Sequence, residues 1–515
     1  MARLAGGHIP GTGPLRRVGI VIVACLAARA AAAATPTDIL THRFTSYEGR
    51  LRIDPPAQAL AVAIRVGGVT SGAGRQALVL VSGLPISAVA DGDGNPLAFR
   101  TSGAASGQVT VDLPTPLPDG SPFVLEVTAA GTPSCLSQDP VVVRRCGFAG
   151  DTAWLDLSLV LPRSVAGLDF ATHDLEVVVP AGTDLAGSGE VTGGTPEADG
   201  DVAWRLVQTA PAYTRGLTLG AWASGGIPTP NGTVRTFTNR DSATTDSAPQ
   251  ILARAVAAWN GFASDYGPAT SRALSLVQVD DAGAAMALAG LAWLPRGVWT
   301  GEGGGTIHPA DLAFVVVPHE VAHQWFPVSA CPSPFGGTWL TEGLAELLAV
   351  EAIEREQGEP AAADLLRTLG LRWRLGVPAA TDAALGSLVG ADRVADRDRQ
   401  FLLAYAKSVV ALRAIQGMVG VAVFREVLRR LVADLGPTGG FFDAAMLRDR
   451  LAEASGMDLD AVFAAWVAGR GSPIVRLGVS SVPAPPGRSL LRLEVGVGNA
   501  IGGVGMRSSV PRLAV

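Results

Sequence analysis

The spacing of apolar residues changes period near residues 223–233, and this divides the chain into two folding problems. Before it, runs such as ALAVAIRV, ALVLVSGL, GQVTVDLP, FVLEVTAA, WLDLSLVLP and DLEVVVP are rich in Val and Leu and bounded by Gly, Pro, Asp and Ser. Several alternate apolar with polar residues, the pattern of a half-buried strand. Residues 35–225 are therefore expected to form a β-sandwich or saddle-like sheet domain. ASGGIPTPNGT, 223–233, reads as a linker. Beyond it the texture turns helical: SAPQILARAVAAWNGFASDYG, AADLLRTLGLRWRL, DRQFLLAYAKSVVALRAIQGMV and VAVFREVLRRLVADL carry helical spacing, while SRALSLVQVD reads as a strand. Residues 226–475 are expected to be a small sheet followed by many helices, and 476–515 a short β-like tail. At 515 residues and 48% apolar, the chain can bury cores in two or three such domains.

Charge narrows the partners. Forty basic and 46 acidic residues give a net −6, with no basic block and no aromatic-interleaved basic stripe, so nucleic acid is excluded as a partner. The first 34 residues read as an export signal. Arg3, Arg16 and Arg17 precede a short apolar core, Val18 to Ala28, and Ala30 to Ala34 offer small-residue cleavage sites. That core is shorter than the about 20 residues a spanning helix needs. No later stretch reads as a transmembrane segment, and a periplasmic or secreted location is expected. Ile22-Val23-Ala24-Cys25 loosely resembles a lipoprotein cleavage box, so a lipid anchor on Cys25 is the alternative. Cys135 and Cys146 flank CLSQDPVVVRRC, a pair that an exported chain can oxidise to a disulfide. Cys331 reads as a small buried residue.

The chemistry concentrates in VVVPHEVAHQWF, residues 315–326. On a helix, residues four apart share a face, so His319 and His323 can aim imidazoles at one point. Glu320 then reaches a water bound there. Pro318 fits a first helical turn, which predicts a helix starting close to it, and Pro327 ends it. A zinc site with an open position needs a third protein ligand. Glu342, in WLTEGLAE and separated from His323 by eighteen residues, opens a second helical stretch and supplies a carboxylate. Glu346, one turn further, can accept from the far nitrogen of a metal-bound histidine; a solvated helix carboxylate is the alternative reading. Two histidines and one carboxylate suit Zn2+ best, one ion per site.

HEVAHQWF followed at this spacing by WLTEGLAE resembles the gluzincin metallopeptidases, most closely the M1 aminopeptidase family. SDYGP, 264–268, resembles the segment leading into that family's catalytic domain. AYAKSVVAL, 404–412, resembles its tyrosine helix, and Lys407, the only lysine of the chain, falls at the lysine position. AAWVAGRGSPIVRLGV, 464–479, resembles the segment closing the catalytic domain. The resemblance implies a multidomain α+β chain: an N-terminal β-saddle, then a thermolysin-like zinc peptidase domain. It implies that His319, His323 and Glu342 bind zinc, that Glu320 is the general base, and that Tyr405 donates to the tetrahedral intermediate. Lys407 is expected to have a supporting role, and the substrate to be a peptide or protein.

The pattern breaks in one place. M1 aminopeptidases carry Gly-x-Met-Glu-Asn ahead of HExxH, and its glutamate holds the substrate's free amino group. The corresponding stretch is read as GLAWLPRGVW, 290–299, which has no acid; Glu302 lies nearby, before the run Gly303 to Gly305. The long helical C-terminal domain of many M1 enzymes is also absent. Aminopeptidase and endopeptidase modes both stay open. So does a catalytically weak or inactive peptide-binding protein on the same scaffold; a β-sandwich adhesin with a helical appendage would need no metal spacing at all.

Overall fold

The structure, a computed structural model, describes residues 39–509 except 73–74, 103–106, 138–143, 166, 168, 302–311, 379–380, 389–398, 400, 472, 483–489 and 500–501. The expected signal segment with Cys25, and the stretch Glu302 to Gly305, lie outside the described residues.

From Ile39 to Gly220 the chain builds an 11-stranded sheet and a four-stranded sheet. The first strand, Ile39–Asp54, pairs antiparallel with Ala59–Ser71 and parallel with Ala171–Val179. In Ala59–Ser71 buried and exposed positions alternate, which is the period-two pattern expressed as burial. Phe44, Tyr47, Leu51, Val66, Leu80, Val111 and Leu175 meet in its core. One apolar run divides. WLDLSLVLP is a strand only to Asp156; the Asp156 carboxylate then accepts from the Ser158 amide and caps a single helical turn, Leu157–Val160. Cys135 and Cys146 are joined in a disulfide.

The stretch read as a linker is a hairpin. Ala223–Thr229 pairs antiparallel with Gly232–Thr238 and forms one edge of a five-stranded sheet, continued by Ala273–Gln278, Leu291–Leu294 and Met286–Leu288. An edge strand tolerates Pro and Gly because one side of its backbone needs no partner, and the first strand is mostly exposed. This sheet packs on helices Ser242–Tyr266, Leu312–Ala322, Thr338–Gln357 and those that follow, around Trp259, Trp325, Trp339, Leu344, Leu348 and Leu412. A third core, with Trp154 and Trp222 against Val277 and Trp293, joins the two parts.

Leu402–Val419 is, against the sequence reading, long and apolar enough by composition to cross a membrane. Its Leu403, Ala404, Ala406, Val409, Leu412 and Ile415 are instead buried in the helical core. The tail is a three-stranded antiparallel sheet, Pro473–Val482, Leu490–Asn499 and Gly502–Ser509.

The disulfide closes a short loop, with a sequence separation of 11. Replacing both cysteines by serine should lower stability by about 3 kcal/mol, the loop-entropy scale for such a closure. A lower urea midpoint for the full chain, with metal content unchanged, is the expected reading.

Candidate metal centre and active site

The motif helix runs from Leu312 to Ala322, so Pro318 sits inside it and does not start it. The proline forfeits one backbone bond, a cost of about 3 kcal/mol. Val315, Val317 and Val321 are buried on the same helix, and at about 1.5 kcal/mol or more each they outweigh that cost. Beyond His323 the chain opens into a wide turn, Gln324–Ser329, with Phe326 in an extended conformation. Trp325 lodges between Trp259 and Phe262 and donates its indole N–H to the Gly267 carbonyl at 2.8 Å. These aromatics are anchors that fix the end of the motif helix.

Glu342 lies in the second turn of helix Thr338–Gln357, whose first turn holds no acid. The expectation that it opens the helix is thereby corrected: packing, and not the helix dipole, accounts for its place. Two and a half turns on, the buried Glu351 accepts from the Tyr266 hydroxyl at 2.6 Å and the Gln416 amide at 2.8 Å, and pairs with Arg425 at 3.2 Å. This sets the rotation of the helix, and with it the direction of Glu342 and Glu346.

Both imidazoles are oriented from behind. His323 Nδ1 donates to the Phe326 carbonyl at 2.8 Å. A carbonyl only accepts, so the proton is on Nδ1 and the Nε2 lone pair faces inward. His319 Nδ1 donates to Glu346 Oε2 at 2.9 Å, with Glu346 fully buried. Glu342 Oε2 lies 3.5 Å from His319 Nε2 and 3.6 Å from His323 Nε2. Among the described residues it has no hydrogen-bond donor. Donors on a tetrahedral zinc with bonds of about 2.0–2.2 Å sit about 3.3–3.6 Å apart. The donor set therefore fits zinc in both chemistry and spacing, and it is a group among the described residues able to hold a metal ion.

Glu320 is 5% exposed, with Oε2 unpartnered. Burial pushes its carboxyl up to about 8, while the charge of His319 pulls the other way; a bound dication would lower it. The Tyr405 ring stacks on His319 at 5.6 Å between centroids, and Phe401 stacks on Tyr405 at 4.2 Å. Burial and the neighbouring Glu342 raise the Tyr405 hydroxyl well above its ordinary range. Lys407 does not reach the metal group. It is buried, donating to Asp382 at 2.7 Å and the Ala383 carbonyl at 2.9 Å. Burial lowers its pKa against the pull of Asp382. Cys331 is buried in the short strand Cys331–Pro332, and burial raises its thiol.

Residues 305–466 match the sequence profile of the Peptidase family M1 domain. The chain carries a family M1 peptidase domain. By family it is a zinc-dependent metallopeptidase. No curated protein matches the chain. Among solved structures, it is similar to a mutant of an M1 zinc metallopeptidase from Deinococcus radiodurans bound to a Tyr-Ser-Ala substrate, with 22% identity over 84% of this chain and 96% of that one, TM-score 0.67. A two-domain M1 zinc metallopeptidase mutant bound to L-arginine gives the same identity and coverage with TM-score 0.69. At this identity the likeness is one of fold: a β domain followed by a peptidase domain.

Sequence reasoning missed four supports of the M1 domain. Gln324 bridges the motif helix to the sheet edge: its amide donates to the Leu288 carbonyl at 3.0 Å and its oxygen accepts from the Gly290 amide at 2.8 Å. Glu351, Asp382 and Phe401 are the others, and none carries a signal apart from its partner. Within GLAWLPRGVW, Leu291–Leu294 is an inner strand, paired on both sides, and the adjoining edge strand is Met286–Leu288.

Glu346→Ala should lower zinc affinity about 10- to 100-fold by freeing the His319 ring. Chelator competition checks this; an unchanged affinity would return Glu346 to a merely packed carboxylate.

Proposed function

We propose that this chain is an exported zinc metallopeptidase in which His319, His323 and Glu342 hold the ion, Glu320 is the general base and Tyr405 the oxyanion donor. The observation that carries the reading is the convergence of three inward-facing donors beside a buried, unpartnered Glu320 oxygen. When bound, zinc lowers the pKa of its water and polarises the scissile carbonyl. Glu320 takes a proton from the attacking water and returns it to the leaving nitrogen, a transfer its shielded position favours. The Tyr405 hydroxyl donates to the oxygen that gains charge, and its stack between Phe401 and His319 limits the ring to that approach. Glu346 and the Phe326 carbonyl hold the two imidazoles, so neither needs to reorient during reaction. The Deinococcus enzyme's Tyr-Ser-Ala substrate supports peptides as the substrate class.

Export is supported by the basic and apolar N-terminal segment and by the disulfide, which belongs to an oxidising compartment. The intact mass of the exported protein is expected to match cleavage within Ala30 to Ala34; a lipidated N-terminus at Cys25 would replace that reading with membrane tethering.

Glu320→Gln should keep its zinc and lose hydrolysis. Tyr405→Phe should lose about 10²–10³ in kcat with KM little changed. A Glu320→Gln protein that still cleaves peptides would overturn the assignment of the base.

A further inference from the structure

We propose that Lys407 is a positioning residue for the hydrolysis: its buried ammonium holds the widened turn that carries Tyr405 in the register that lays the tyrosine ring on His319. This rests on the reading of Tyr405 as oxyanion donor and adds the group that keeps it in place.

The turn is the irregular part of its helix. In Leu402–Lys407 the backbone winds more widely than in the α-helix Ser408–Val419 that continues it. A wide turn of this kind competes with the regular form, in which each residue is rotated by about 100° from the last. Tightening the turn by one residue would swing Tyr405 by about that angle relative to the helix behind it. Its ring would then leave His319, on which it lies with the planes 20° apart and the centroids 5.6 Å apart. The wide form therefore needs a hold from outside the helix.

Lys407, the last residue of the turn, supplies one. It is fully buried and donates to Asp382 at 2.7 Å and to the Ala383 carbonyl at 2.9 Å. Asp382 also accepts from the Trp373 indole at 3.2 Å, and the ammonium lies 5.5 Å from the centre of the Trp373 ring. Trp373 belongs to helix Glu359–Gly376, so one compact cation pins the turn to a second helix. A buried ion pair adds little net stability over an apolar filling of the same space. Orientation is what it supplies here. Composition points the same way. Of the 40 basic residues in the chain, Lys407 is the single lysine; arginine serves at every other position. An ammonium is a point donor that serves Asp382, Ala383 and the indole ring from one atom, whereas a guanidinium spreads its donors over a broader plane.

The test compares zinc-loaded Lys407→Met, Lys407→Arg, Tyr405→Phe and the Lys407→Met/Tyr405→Phe double variant. Zinc content, kcat and KM are read on a peptide that the wild-type protein cuts. Lys407→Met should lower kcat about tenfold or more with KM and zinc content unchanged, and Lys407→Arg should not restore it. In the Tyr405→Phe background the same change should cost less than about twofold, because groups that act as a unit are not additive. Lys407→Met leaves Asp382 without its cation; should it fail to fold, Lys407→Met/Asp382→Asn, which removes both charges, takes its place in the comparison. Unchanged kcat in Lys407→Met, equal losses in both Tyr405 backgrounds, or full kcat in Lys407→Arg overturns the proposal and leaves the zinc peptidase reading intact. A Tyr405→Phe protein with wild-type kcat overturns the oxyanion donor and this inference together. No Glu320-dependent cut of any peptide overturns the peptidase reading itself.

Discussion

Three carboxylates meet at the centre of this protein, and the rest of the catalytic domain is arranged around that fact. Glu320 and Glu346 are buried, and Glu342 lies between two imidazoles. Carboxylates removed from water and set side by side repel, and each loses hydration worth several kcal/mol. Histidines that hold an ion through inward lone pairs are neutral and add no positive charge. A dication would, and it would also satisfy the Glu342 oxygen that has no donor among the described residues. Among the described residues three protein ligands converge, and a tetrahedral ion held by three keeps one position open for water and the carbonyl. A folded chain that tolerates this charge without an ion needs rigid surroundings, and the buried helices supply them.

That rigidity comes from a few polar pairs inside an apolar core. Tyr266, Gln416 and Arg425 on Glu351 fix one helix, Gly267 on Trp325 fixes the end of another, and Lys407 on Asp382 fixes the segment bearing Tyr405. Buried pairs of this kind add little net stability, because desolvation offsets most of their attraction. Their value is orientation. An apolar helix surface permits small rotations at little cost, and a rotation of helix Thr338–Gln357 would swing Glu342 away from the imidazoles. The tryptophan and phenylalanine after the second histidine belong to this group: they bury area and also point the chain so that the Phe326 carbonyl meets His323.

What the sequence made legible follows from the range of the interaction. His319 and His323 share a face by helical geometry, Glu342 and Glu346 likewise, and the one lysine marks the tyrosine helix; the site was therefore readable from spacing. The class of each half was readable too, because period two and period 3.6 are local. Gln324 acts through partners 34 and 36 residues away, Glu351 through Gln416 and Tyr266, 65 and 85 residues away, and Asp382 through Lys407, 25 residues away, and no local pattern announces such a pairing. The errors share one cause. Ala223–Thr229 was taken for a linker because its Gly and Pro are allowed only at an edge, and edges are set by tertiary contacts. Asp156 stopped a strand because its carboxylate found an amide two residues on.

The position of the edge strand Met286–Leu288 is set by both halves of the chain. From the catalytic side, Gln324 holds its turn. From the β side, the Thr214 hydroxyl accepts from the Ala289 amide at 3.2 Å, and the Thr218 hydroxyl accepts from the Trp293 indole at 2.7 Å. Gly290, at φ +67, lets the two meet: a Cβ there would fall 3.0 Å from the Gly189 nitrogen and 2.6 Å from the Ser271 hydroxyl. The Arg144 amide, two residues before Cys146, adds a bond of 2.8 Å to the Ala282 carbonyl just upstream. The β domain is thus part of the frame of the active site. It clamps the outer edge of the catalytic sheet, beside the metal helix, from the side opposite the helices. A strand of three residues with one paired neighbour would fray if left to its own backbone bonds. Held from both sides, it keeps a fixed place beside the metal helix.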